Sequence, residues 1–195
     1  MSANQSSLLH AAGGYRTLRV FTLARLCYDV TVRFTELYIP SNSRTVDQMV
    51  QAARSGVQNI AEGSSAPVTS SRTELILTGV ARASLEELRL DYEDFLRQHG
   101  VAQWQKGDLF YQEFTKRKIS DMEQVRAFIN WAMPLNIAHG KCTVQAAIVA
   151  NGALLLINIT CFLLTRLLEK QADDFKTSGG FSERMMQVRK NTRGR

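Results

Sequence analysis

A chain of 195 residues suits one domain with an appendage, and 45% hydrophobic against 22% charged residues lets it bury a core, which excludes wholesale disorder. Only three prolines leave room for long unbroken helices. The net charge of +6 is uneven: from Lys176 to Arg195 six bases face Glu183 alone, a net +5, so a polyanion-seeking tail follows a nearly neutral body.

Met1–Gly14 is polar and small, with no basic stretch ahead of an apolar one, so it reads as a flexible N-terminus and not as a secretory signal. Tyr15–Tyr38 places Leu18, Phe21, Leu23, Leu26, Val30, Phe34 and Leu37 at three- and four-residue steps, which predicts a helix ending before Pro40. The connector Pro40–Ser43 is too short for a domain boundary, so the next helix is expected to fold back antiparallel. That helix runs from about Arg44 to Glu62, with Val46, Met49, Val50, Ala53, Val57 and Ile60 inward. Its middle, around Ala52, Ala53, Ser55 and Gly56, is thin. An interior Gly costs about 1 kcal/mol against Ala, so close approach by another helix is expected there.

Gly63 is a plausible C-cap, and Gly63–Ser70 reads as a loop. Ser71–Glu74 has the capping-box pattern and opens a third helix, with Leu77, Val80, Ala81, Leu85, Leu88, Tyr92 and Phe95 on one face down to about Arg97. Its other face is acidic near the end (Glu86, Glu87, Asp91, Glu93, Asp94), a solvated surface in the absence of a nearby histidine. Residues 101–143 are less regular and hold the cluster Lys116-Arg117-Lys118. Within them Ser120–Glu123 repeats the capping-box pattern and starts a short helix to about Met133. Trp104 and Trp131 are expected to wedge this insert against the rest.

Val144–Thr165 carries no charge over 22 residues, long enough to span a membrane. Asn151, Asn158 and Thr165 nevertheless recur every seven residues, and no Trp or Tyr marks either end. The expectation is therefore a core helix whose polar stripe pairs with other helices or with a second subunit. So apolar a helix also predicts a homo-oligomer.

Gln48–Gly63 (QMVQAARSGVQNIAEG) resembles the signature of the four-helix-bundle proteins encoded within intervening sequences of bacterial 23S rRNA genes. Asn59, Ile60, Ala61, Glu62 and Gly63 match letter for letter. Val80–Leu88 (VARASLEEL) is similar to that family's third helix, and Thr177–Met186 resembles a C-terminal suffix found in some members. Residues 101–143 are longer than the usual turn before helix four, and Ser64-Ser-Ala66 replaces an aromatic and a basic residue. The resemblance implies an all-α, antiparallel up-down four-helix bundle over residues 15–175, with a helical insert at about 101–143 and a short basic extension over 176–195. It implies a homopentamer. It also suggests kinship with the accessory protein of diversity-generating retroelements, which binds nucleic acid and a reverse transcriptase.

No phosphate loop, dinucleotide fingerprint or nucleophile elbow is present, and His10, His99 and His139 lack ligand-like company. No catalytic residue, metal or cofactor is expected. The three cysteines have no metal spacing, so reduced thiols and a cytoplasmic location follow. The expected function is an oligomeric scaffold for nucleic acid, the alternative a protein–protein adaptor. Candidate contacts are Arg16, Arg19 and Arg54 on the first two helices, Lys116, Arg117 and Lys118 in the insert, and Arg184, Arg189, Lys190 and Arg193 in the tail. Asn59–Gly63 is expected to serve packing.

Overall fold

The computed structural model describes residues 14–65, 71–135, 140–178 and 186. Six α-helices pack together, and no strand occurs among the described residues. They are α1 (Arg19–Tyr38), α2 (Arg44–Ser65), α3 (Ser71–His99), α4 (Leu109–Arg117), α5 (Met122–Ala132) and α6 (Val144–Ser178). Helix α1 lies against α2 and α6, and α3 lies against the same two, while α4 and α5 sit on α6, with α5 also touching α1.

Heptad spacing explains these four long contacts. Val20, Leu23, Cys27, Val30 and Phe34 on α1 are buried, as are Thr78, Ala81, Leu85, Leu88, Tyr92 and Phe95 on α3. Alternating steps of three and four keep one stripe facing the neighbours over the whole length. On α2 the equivalent stripe is thin. A methyl at Gly56 would stand 2.8 Å from Leu85 Cδ2, and one at Gly63 would stand 3.4 Å from Leu77 Cβ. The Ser55 and Ser84 hydroxyls share a hydrogen bond of 2.9 Å beside them. The expected close approach is thus to α3, and it offsets the helix cost of the glycine.

Buried hydroxyls set how the helices slide against one another, because each must find a partner. Tyr92 donates to Thr31 Oγ1 at 3.1 Å, and Thr31 donates to the Cys27 carbonyl at 2.7 Å. Cys27 Sγ lies 3.7 Å from Thr160 Oγ1, linking α1 to α6. At the far end Gln171 Nε2 donates to Glu74 Oε1 at 2.8 Å, while the start of α6 is tied to the end of α3 by Lys141 N donating to the His99 carbonyl, also 2.8 Å.

Several sequence expectations shift. The first helix starts at Arg19, preceded by a 3-10 turn over Gly14–Thr17, rather than at Tyr15. Leu37 and Val80 are 49% and 41% exposed, off the inward stripe, and Thr78 takes the core position instead of Val80. Helix α2 continues through Gly63 to Ser65, because that glycine faces α3 rather than ending a helix. A glycine does end α3: at Gly100, with φ 69, Gly100 N and Val101 N donate to the Arg97 and Leu96 carbonyls in a Schellman arrangement. The second capping box is displaced by one residue. Asp121 accepts from Gln124 N at 2.8 Å, and Gln124 Oε1 accepts from Ser120 N. Helix α6 passes the expected limit of 175 and ends at Ser178, its last turn held by Thr177 bonding to the Asp173 carbonyl.

The insert has its own aromatic centre. Trp104 stacks on Phe110 at 5.3 Å, and Phe128 meets Trp104, Phe114 and Trp131. Two adjacent residues of α6 receive it. Asn151 accepts from Trp104 N at 2.8 Å and donates to the Ala102 carbonyl at 3.3 Å, and Gly152 leaves room for the Phe114 ring 3.2 Å from where a Cβ would sit. Asn151 therefore pairs within the chain. Helix α6 is long and apolar enough to cross a membrane, but 72% of its most apolar window is buried inside the fold.

Candidate nucleic-acid interface

The outer face of α1 carries the basic residues best placed for an external partner. Between α1 and the start of α5 opens a cleft of about 360 Å3, bounded by Arg16, Thr22, Arg25 and Asp29 on one side and by Ser120, Asp121 and Met122 on the other. Arg19 and Arg25 are exposed and make no ion pair among the described residues. Arg16 and Arg25 line the cleft, and Ser120 on its other side follows Lys118 by two residues; Arg19 and the Lys116–Lys118 cluster do not line it. Asp29 and Asp121 temper its charge.

The members of the insert cluster differ in availability. Lys116 is exposed, 3.8 Å from Glu113. Arg117 is engaged: its Nε lies 3.1 Å from Glu113 Oε1, and its guanidinium stands 4.7 Å above the Trp131 ring. Burying its stem and stacking its head secures the insert and takes this arginine out of reach of a phosphate. Lys118 is exposed at the α4 C-cap in the left-handed region, φ 51 and ψ 44, which turns the chain so that Ile119 is buried. Arg54 is exposed on α2, a helix that does not border the cleft. Arg184, Arg189, Lys190 and Arg193 lie outside the described residues.

The acidic face of α3 is partly neutralised from within, at Glu86, Glu93 and Asp94. Glu86 pairs with Arg89 at 2.8 Å and with Arg82 at 3.8 Å, Arg89 reaches Glu93 at 3.0 Å, and Asp94 holds Arg97 at 2.8 Å. Asp91 is half-buried, and desolvation, then the neighbouring Asp94 and Glu87, pushes its carboxyl above the usual range. Arg33 on α1 is paired in the same way with Glu36 at 3.0 Å, which leaves Arg19 and Arg25 as the arginines of that helix with no ion pair among the described residues.

Within the motif Asn59–Gly63, Asn59 Nδ2 donates to the Ser55 carbonyl at 2.9 Å, Ile60 is buried, Gly63 is buried against α3, Ala61 is partly buried and Glu62 is exposed. Burial pushes the Cys27 and Cys161 thiols up to about 12, so neither offers a thiolate at neutral pH. The His99 ring bonds to the Phe95 carbonyl at 2.7 Å. No group of three metal-ligating side chains occurs among the described residues, and His139 is not among them.

Arg25 was missed as a candidate. It could have been found by noting that Arg16, Arg19, Thr22 and Arg25 recur at three-residue steps on the face opposite the buried stripe. The Asn151–Gly152 seat was legible only as part of a polar stripe, because its partner lies 47 residues away in the chain.

Comparison with family models, with curated proteins and with solved structures gave no match.

Proposed function

We propose that this chain is a non-enzymatic, self-associating helical scaffold that binds nucleic acid along the basic face of α1 and the adjoining α4–α5 junction, with the tail adding charge. In this reading α1, α2, α3 and α6 form an antiparallel up-down four-helix bundle, with α4 and α5 as its insert. The pairwise neighbours and the paired ends of α3 and α6 support that arrangement. The observation that carries the functional reading is the contrast in charge: Glu86, Glu93 and Asp94 on α3 are held by arginines of their own helix, while Arg19 and Arg25 on α1 stand exposed with no ion pair among the described residues, Arg25 beside a cleft. Raised thiols and a buried α6 favour a reduced, cytoplasmic setting. The resemblance to the 23S rRNA intervening-sequence family supplies the pentamer and a reverse transcriptase as partner.

Binding of a short DNA or RNA duplex measured against salt tests this. Each phosphate neutralised contributes about 0.7–0.9 to the fall of log K with log salt. Replacing Arg19, Arg25 and Lys118 by Gln is expected to weaken binding and flatten that slope by roughly two to three. The tail variant Arg184, Arg189, Lys190 and Arg193 to Gln flattens it independently. No binding at ~50 mM salt would transfer the proposal to the protein–protein adaptor reading, which the exposed Ile76, Val80 and Leu90 on α3 favour.

A further inference from the structure

The outer face of α3 is an apolar strip that no described element covers. Ile76 is 54% exposed, Val80 41% and Leu90 56%, and a methyl built at Gly79 would meet nothing within 4 Å. The insert is not on this side; α4 and α5 rest on α6 and α1. Hydrophobic residues scattered singly need no explanation, but these share one helical face with exposed charges at both ends.

Arg72, Ile76, Gly79, Ala83, Glu87, Leu90 and Asp94 follow one another at the three- and four-residue steps of one helical face, and about Ala83 an apolar residue matches an apolar one (Ile76, Leu90) and a base matches an acid (Arg72, Asp94). We propose that this face joins two copies of the chain about a twofold axis through Ala83, with the two α3 helices antiparallel. Ala83 then meets Ala83 of the second copy, Ile76 meets Leu90, and Arg72 meets Asp94. Glu87, the one charge inside the strip, falls opposite the open space at Gly79. A twofold contact requires self-complementarity of this kind, in which each residue and its counterpart are exchanged by the axis.

Charge supports a second copy over an unrelated helix. Arg72 has no ion pair among the described residues, while the acids flanking the strip, Glu86 and Glu93, are already held by Arg89. Among the described residues Asp94 is bound only to Arg97, in a pair whose side chains are 58% and 68% exposed, which solvent weakens enough for it to accept a second arginine. Gly79 and Ala83 let the two backbones come close at the crossing.

This contact rests on the self-association part of the proposed function alone and stands against the pentamer that the resemblance supplies. A twofold builds even-numbered assemblies, whereas a pentamer needs a head-to-tail contact. The test is cross-linking of Ala83→Cys with a short bifunctional maleimide, with the unmodified chain, whose Cys142 is half-exposed, as background. The expected result is a cross-linked dimer that the unmodified chain does not give. Leu90→Arg is expected to raise the dimer dissociation constant at least tenfold by sedimentation. Arg72→Asp and Asp94→Arg should each weaken the dimer, and the two together should restore it. All these positions are exposed, so unchanged helicity by circular dichroism is expected throughout. A multi-copy mass with no Ala83→Cys cross-link, or one indifferent to Leu90→Arg, overturns the twofold contact and leaves self-association standing. A mass of 21.9 kDa at every concentration overturns both.

Discussion

The contact between α2 and α3 and the seat of the insert on α6 bury comparable roles in opposite materials. The first is thin: Gly56, Gly63, Ala53 and a serine pair bring two long helices together over many turns. The second is bulky and local, with two tryptophans and three phenylalanines centred on a nine-residue and an eleven-residue helix, anchored to α6 through Asn151 and Gly152. Isolated helices that short are marginal in water, so α4 and α5 depend on this docking. Long helices can share their stabilisation across a repeating stripe; short ones concentrate it in a few contacts. The insert also shields α6 along the polar stripe expected to meet other helices or a second subunit.

Concentration means that one substitution in the seat should cost most. Asn151→Ala removes three hydrogen bonds and leaves the Trp104 amide and Ala102 carbonyl unpaired. It is expected to destabilise by about 3 kcal/mol, from one or two part-buried groups left without partners. Urea denaturation measures it. A loss under about 1 kcal/mol would show that the insert is held elsewhere.

In the thin seam the effect should be somewhat smaller. Gly56→Leu forces atoms into Leu85, and because a helix can shift slightly along a repeating contact the expected loss is about 2 kcal/mol. An unchanged melting temperature would mean that the two helices part easily. Gly79→Ala is the counterpart on the open side of α3, where nothing lies within 4 Å. In the dissociated chain, held apart by Leu90→Arg, the helix preference for Ala acts alone and should stabilise by about 0.8 kcal/mol. A destabilising Gly79→Ala in that background would imply that this face is covered within the chain.

How much of this was legible follows the same division. The stripes of α1, α2, α3 and α6 are repetitive, so their existence and inward residues could be read, apart from Leu37 and Val80 at the edge of a stripe. Helix α4 was not read, because Phe110, Phe114 and Arg117 find their partners in Trp104, Phe128, Trp131 and Glu113, and the aromatic contacts mostly join separate elements. Of the candidate site, Arg16, Arg19 and the Lys116–Lys118 cluster were legible as charge. That Arg117 is sequestered over Trp131, and that Arg25 borders a cleft with Ser120, depends on folding.

The smallest effect concerns pH. Glu74 is half-buried on α3, and desolvation, only partly opposed by the bond from Gln171, holds its carboxyl above the usual range. A carboxyl raised in the folded state contributes stability that is full below its unfolded titration and lost as pH rises through the folded one. Stability should therefore fall slightly as pH rises past the ordinary glutamate range. Gln171 Oε1 is buried with no partner among the described residues, and a protonated Glu74 can supply one. Glu74→Gln offers the same donor at every pH. It should abolish this dependence and gain about 0.5 kcal/mol at neutral pH, by one hydrogen bond. Thermal melts from pH 4 to 8 compare the two.

Native-state hydrogen exchange on the unmodified protein and on Asn151→Ala tests most directly the claim that the insert is held by its seat while the α2–α3 seam stands without it. The amides of α4 and α5 are expected to lose protection in the variant, while those facing one another around Gly56 and Leu85 keep theirs. Equal loss in both regions would contradict the division, and so would an insert whose protection does not change.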